Sequence, residues 1–119
     1  MSIWRSGMTE AVMGGAAFTD RGTAVLVSGV LDASAGPGIY AVDTEGAAAT
    51  DDLTQITGLA VNEEIVLRMA NAAREVTVKQ GANMKIQADY PLDTVNSRCK
   101  LMSKGSDVMT EITRANSPA

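Results

Sequence analysis

The chain has no histidine and only one cysteine, Cys99, among its 119 residues. Without histidine it lacks the side chain most often used as a general base and metal ligand near neutral pH. A single cysteine cannot form an internal disulfide, which fits a protein folded in a reducing cytoplasm. Because no histidine is present to activate its thiol, Cys99 is predicted to be a small buried apolar side chain rather than a nucleophile.

Basic clusters and long apolar runs are also missing. The formal net charge is −4, and no stretch collects the lysines and arginines that a nucleic-acid partner requires on one face. No run of about 18 apolar residues and no signal peptide is found, so we expect neither a membrane partner nor secretion. Only four side chains are aromatic. The core must therefore be aliphatic and thin, which favours oligomerisation.

Alternation of apolar and polar residues between turn-forming stretches dominates the rest of the sequence. Such period-two patterns are typical of half-buried strands, because successive side chains point to opposite faces of a sheet. The predicted strands cover residues 23–30, 39–43, 64–70, 74–80, 84–88, 98–103 and 108–113. The sequence therefore predicts an all-β protein with a single compact antiparallel β domain, a sandwich or a roll, over residues 23–116, followed by a free end at 117–119.

Residues 63–75 allow two interpretations. Asn62 followed by Glu63 and Glu64 could begin a helix, because an asparagine cap and acidic residues in the first turn both favour one. The alternative is a strand over 64–70, a turn at 71–73 and a second strand from Arg74. The strand is favoured because the segments that follow are plainly β and need partners.

Residues 1–22 show no alternation and are predicted to form an extended N-terminal arm. Gly14 and Gly15 would end any helix begun at Thr9. The segment is interpreted either as a frayed tail or as an arm that docks on a neighbouring molecule. A free tail would leave two of the four aromatic side chains in water, which is the argument for the arm. The candidate contact residues are Trp4, Met8, Val12, Met13 and Phe18.

The acidic residues do not form a recognisable catalytic or metal pattern. Asp43, Glu45, Asp51 and Asp52 have the oxygen ligands that calcium prefers, but their spacing does not match the EF-hand loop, and a solvated loop is favoured. Adjacent acids such as Glu63 and Glu64 would point to opposite faces of a strand and make a poor acid–base pair. We therefore expect no enzymatic activity, no metal, no cofactor and no small-molecule substrate.

Several segments resemble small structural proteins of tailed bacteriophages. The stretch YAVDTEGAAATDDLTQI, residues 40–56, is similar to a loop of that family, and EIVLRM and REVTVKQGANMKI are similar to the strands that follow it. In the last segment, SDVMTEITRAN, Met109 stands where the family usually has tryptophan, whereas Glu111 and Arg114 match the family pattern. The resemblance covers roughly residues 38–116 and is to capsid decoration proteins, also called cement or head-fibre proteins.

The resemblance implies a virion component rather than an enzyme. It implies a protein made in the cytoplasm of the host bacterium that binds the major capsid protein on the outer surface of the capsid. Such proteins usually occupy three-fold sites, which implies a homotrimer. A tail-fibre or appendage module that attaches to the host is the alternative. We favour decoration because the chain is short, lacks a shaft repeat and has few aromatic residues for a sugar site.

Overall fold

The computed structural model of the protein describes residues 18–115, and the regular secondary structure of that range is nearly all β. The predicted all-β class and compact β domain are confirmed. A single 3-10 turn at Glu45–Ala47 interrupts the strands. The strands of the described range are β1 (Asp20–Val25), β2 (Val30–Asp32), β3 (Gly38–Asp43), β4 (Thr50–Leu53), β5 (Gln55–Thr57), β6 (Glu64–Met69), β7 (Glu75–Val78), β8 (Met84–Lys85), β9 (Tyr90–Leu92), β10 (Arg98–Gly105) and β11 (Val108–Ala115).

The strands form three sheets whose pairing is mixed rather than wholly antiparallel. The largest has the order β1-β3-β6-β10-β11-β8, and the smaller ones are β2-β5 and β4-β7-β9. Antiparallel pairing, as predicted, joins β10 to β11, β6 to β10 and β7 to β9. The other five ladders are parallel. Parallel neighbours need a long connection instead of a hairpin turn. We call the stretch of chain from one strand to its parallel neighbour a circuit.

The parallel circuits have a regular length. Three of the five parallel ladders share a step of 25 residues, as the pairs Leu31–Ile56, Leu53–Val78 and Met84–Met109 show. Successive circuits therefore stack one on the next. β9 and β10 lie inside the last of these circuits, between β8 and β11, whereas β1 precedes the first.

The predicted strands over residues 64–80 are confirmed, which excludes the helix considered for 63–75. Ile65, Leu67 and Met69 are buried and alternate with partly exposed neighbours. Val76 and Val78 repeat the pattern on β7. Alternation specifies the register strongly wherever one face is buried, because a slip of one residue would move every apolar side chain into water. β8 is shorter than predicted, and Ala88 lies exposed beyond its end.

The first predicted strand, residues 23–30, is divided in two by a tight turn. β1 begins at Asp20, inside the range predicted as arm, and ends at Val25. Ser28 and Gly29 then adopt φ of 52° and 77°, which two successive positions of a type I′ turn require. Val27 and Val30 exchange backbone hydrogen bonds of 3.1 and 3.0 Å across the turn.

Candidate interaction surface

Phe18 is the one predicted contact residue that the structure describes. Its partly buried ring lies 5.3 Å from Nζ of Lys100, a cation–π contact. Lys100 alternates on β10 with the buried Cys99 and Leu101, so it projects from the side of the sheet opposite the core. Phe18 therefore lies on the outer face of the six-stranded sheet. The other predicted contact residues, Trp4, Met8, Val12 and Met13, lie outside the described residues, as do the predicted chain end at 117–119 and most of the predicted arm.

Two hydrogen bonds and two ion pairs fix this corner of the domain. The backbone N–H of Ile39 donates to the carbonyl of Thr19 at 2.8 Å. Lys100 pairs with Glu64 at 3.4 Å. Asp20 pairs with Arg68 at 3.5 Å, and Arg21 Nε donates to the carbonyl of Pro37 at 3.0 Å. The described chain therefore enters β1 from above the outer face, held by backbone and side-chain contacts to strands within the sheet.

β1 is the most exposed strand of this sheet. It lies at one end of the strand order and pairs with β3 alone. Along Asp20–Val25, Ala24 is partly buried and the other five residues are exposed, so both faces of the strand are open. Val25 is 53% exposed and Val27, just beyond the strand, is 64% exposed. An edge strand with unpaired backbone groups is a template for another strand unless something covers it.

The hydrogen bonds between β1 and β3 show which backbone N–H groups of β1 point away from β3. The N–H of Leu26 donates to the carbonyl of Asp43 on β3 at 3.0 Å. Successive backbone groups of a strand point to opposite sides. The N–H of Val25, which lies opposite Asp43 in the ladder, therefore points away from β3. On that side the described part of the chain places no strand.

Three of the four acidic residues considered for calcium accept hydrogen bonds from protein groups. Asp43 accepts two hydrogen bonds from Arg74, at 3.0 and 3.1 Å. Asp51 accepts the backbone N–H of Glu45 at 2.9 Å and, like Asp52, lies in strand β4 rather than in the predicted loop. Within residues 18–115, no three acidic, histidine or cysteine side chains are grouped as a metal site would require.

Glu111 and Arg114, the residues that match the family pattern, form an ion pair that ties β11 to the segment before β9. Arg114 donates to Glu111 at 2.8 Å through both Nε and Nη2, and its Nη2 also donates to the carbonyl of Ala88 at 3.0 Å. Glu111 accepts the backbone N–H of Gln87 at 3.0 Å. The Glu111 side chain is only 8% exposed. Hydrogen bonding from Arg114 lowers the pKa of Glu111 below its ordinary value.

The residues around the Glu111–Arg114 pair hold it within the folded domain. The guanidinium of Arg114 lies 4.5 Å from the ring centre of Tyr90, whose hydroxyl donates to the carbonyl of Ala115 at 2.6 Å. Met109, at the position of the family's tryptophan, is 1% exposed and fully part of the core. An open groove of about 560 Å³ runs beside the pair. Glu111 and Arg114 in its wall neutralise each other, and Lys85 also lines it.

Cys99 is buried, as predicted from the lack of an activating group. Its side chain is 0% exposed and lies in the aliphatic core. Burial, with a smaller contribution from the charge of Glu111, raises the pKa of the Cys99 thiol to about 12. The thiolate is therefore a negligible species at neutral pH.

Comparisons with known proteins identify no relative of the chain. No protein-family profile, curated protein or solved structure matches it. Function is therefore inferred from the geometry of the described residues and from the sequence resemblance alone.

The open edge of β1 is the feature that sequence reasoning missed. The residues TAVLVSGV are rich in β-branched side chains, which suggested one long strand and concealed the turn at Ser28 and Gly29. The serine–glycine pair is a recognised turn-forming dipeptide and could have indicated the break. That β1 lies at an edge could not have been read from its own residues, because edge position depends on which other strands pair with it.

Within residues 18–115, no helix has the length and apolar character that crossing a membrane would require.

Proposed function

We propose that the protein is a structural virion component that decorates and stabilises a phage capsid by binding the major capsid protein, as a homotrimer at three-fold sites on the capsid outer surface. In this proposal it is not an enzyme and needs no cofactor. The N-terminal segment is the contact element, and it docks on the capsid protein or on a neighbouring subunit. The resemblance of residues 38–116 to decoration proteins supports this class of function.

The structural observation that carries the proposal is the junction between the N-terminal segment and the β domain. Phe18 lies on Lys100 on the outer face of the sheet, and the adjoining strand β1 is exposed on both faces. The buried apolar residues of the described core lie between Leu26 and Met109. In this proposal Trp4, Met8, Val12 and Met13 make the contacts with other molecules.

Deletion of residues 1–17 tests the proposal directly. The truncated chain keeps Phe18 and β1, so we expect the far-ultraviolet circular dichroism spectrum and thermal transition of a folded β domain. Binding to undecorated capsids should fall strongly, because aromatic anchors carry a large share of interface energy, with truncations that cost on the order of 2 kcal/mol or more. The full-length chain with Lys104→Ala, an exposed position on β10, is the matched control and should bind as the wild type does.

Equal capsid binding by the truncated and intact chains would contradict the proposed role of the segment. Failure of the intact protein to bind capsids that lack a decoration protein would contradict the proposed function itself. These two outcomes are separate, because the first compares two chains and the second needs only the wild type.

One observation favours the alternative, a tail-fibre or appendage module. The parallel circuits with their common step of 25 residues are the kind of stacking that a longer β shaft would repeat. A fibre module would bind host cells or tail proteins instead of capsids. Binding assays with purified capsids and with purified tails therefore separate the two functions.

A further inference from the structure

The open edge of β1 has the properties of an acceptor for an added strand. Five of its six residues are exposed, and the Val25 N–H points to the side on which residues 18–115 place no strand. A strand added there would satisfy these backbone groups, which is the basis of β-strand addition in peptide recognition. The exposed side chains of Val25 and Val27 border the same edge and offer apolar contact to the added strand.

Residues 1–17 have a composition suited to fill this edge. They contain no proline, so every backbone N–H after the first residue can take part in a ladder. They carry one cation, Arg5, and one anion, Glu10, so no net charge opposes docking. Trp4, Met8, Val12 and Met13 provide apolar side chains to cover the edge.

The path of the chain at Phe18 favours a second copy as the donor. The Phe18 ring lies over Lys100 on β10, which is three places from β1 in the sheet order, and the Thr19 carbonyl is bonded to Ile39 on β3. The chain therefore comes to β1 from above the sheet, on the side away from the open edge. To cover its own β1, the segment would have to reverse and cross that strand.

A neighbouring copy is within easy reach of the segment. Five inter-strand steps of about 4.8 Å make the six-stranded sheet about 24 Å wide. Seventeen extended residues span up to about 55 Å. The segment is therefore long enough to cross the rest of its own sheet and still pair along a six-residue strand.

We propose that residues 1–17 of one copy add as a strand to the open edge of β1 in the next copy. Each chain then gives one strand and receives one. Such a head-to-tail contact closes into a ring when the rotation between copies allows it, which is compatible with the trimer proposed above. The inference rests on the proposed function only for the role of the segment in contacts, and association between copies can be measured without any capsid.

The chain contains its own reporter for this exchange, because Trp4 is the only tryptophan. In a dilution series of the full-length protein, light scattering gives the oligomeric state and tryptophan emission gives the surroundings of Trp4. We expect an oligomer at high concentration with Trp4 emission at short wavelength. Both should change together on dilution, as the oligomer dissociates and Trp4 enters water.

Two substitutions at one position test the acceptor strand. Val25→Pro removes the N–H that points to the open side and leaves the ladder with β3 intact, which edge strands tolerate. Val25→Thr has a similar shape and keeps the N–H. We expect Val25→Pro to lose both association and the short-wavelength Trp4 emission, and Val25→Thr to keep both. Circular dichroism checks that each variant is folded.

Hydrogen exchange of the wild type supplies a readout that does not depend on the proline variant folding. The amide of Val25 should exchange slowly in the oligomer and rapidly after dilution to the monomer. The inference would be overturned if the protein is a monomer at all concentrations. It would equally be overturned if Trp4 is shielded in a monomer, if folded Val25→Pro associates as the wild type does, or if the Val25 amide exchanges at the same rate in both states.

Discussion

Replacement of Leu67 by alanine is the sharpest test of the strand register. Leu67 is 0% exposed and lies in β6, with Tyr40 of β3 opposite it on one side and Cys99 of β10 opposite it on the other. Both neighbouring strands are held in ladders, so they cannot easily move in to fill the space. We therefore expect a loss of about 2–5 kcal/mol in the free energy of unfolding, the range for buried leucine truncations.

Urea denaturation measures this loss. With a slope of about 1–3 kcal/mol per molar urea for a small protein, a loss of about 3 kcal/mol moves the midpoint by at least about 1 M. Arg68→Ala is the adjacent control, because Arg68 projects from the outer face and its ion pair with Asp20 is 3.5 Å long and partly exposed. Arg68→Ala and the exposed Lys85→Ala should each cost well under about 1 kcal/mol. A Leu67→Ala cost no larger than that of Arg68→Ala would refute the register.

Three further predictions concern other parts of the domain. Hydrogen bonds from Arg114 lower the pKa of Glu111. The stabilising contribution of Glu111 is therefore complete above its ordinary pKa of 4.5 and is lost as the pH falls through the folded-state pKa. Glu111→Gln should weaken the dependence of the free energy of unfolding on pH in this range. Gly58→Ala should destabilise the domain by more than about 1 kcal/mol in thermal melts, because φ of Gly58 is +95° and the new Cβ would lie 2.7 Å from a backbone nitrogen. Gly81→Ala is the control and should be nearly neutral, because a Cβ at Gly81 meets no atom within 4 Å. Cys99 should react with a thiol reagent only after denaturation, and rapid labelling of the native protein would contradict its burial.

The strands could be predicted from the sequence because burial leaves a local mark. In EIVLRM the inward residues are Ile65, Leu67 and Met69, and no other register would bury all three. The helix that Asn62, Glu63 and Glu64 suggested did not form, because a period of 3.6 would have spread these apolar residues around its surface. Local propensity was overridden by the need to bury one face.

The pairing of the strands could not be predicted in the same way. Alternation is the same for a strand with parallel or antiparallel neighbours, so residues 50–53 and 75–78 carry no indication that they lie side by side. The spacing of Gly58, Gly81 and Gly105 was the one trace of a period in the sequence. Those steps of 23 and 24 residues are close to the 25 of the parallel ladders, but turns tolerate insertions and blur such a period.

The two ends of the stacked circuits differ in a way that bears on function. β9 and β10 lie inside the last circuit, and they pair antiparallel with β7 and with β6 and β11. In the first circuit, β2 and β4 each have one partner strand, and β1 covers only β3. Exposed strand edges promote aggregation unless they are covered. β1, β2 and β4 therefore give the N-terminal side of the described domain strand edges for a partner to cover.

Decoration and fibre functions would cover that side differently. In a fibre, a preceding circuit of the shaft would stack on β1, β2 and β4 together, so the partner would be a further β domain in line with this one. In a decoration protein, one strand from a neighbour at β1 covers the longest open edge. Loss of association on substitution of Val25 in the isolated protein is expected only in the second arrangement, because a shaft circuit is not supplied by another copy of this chain.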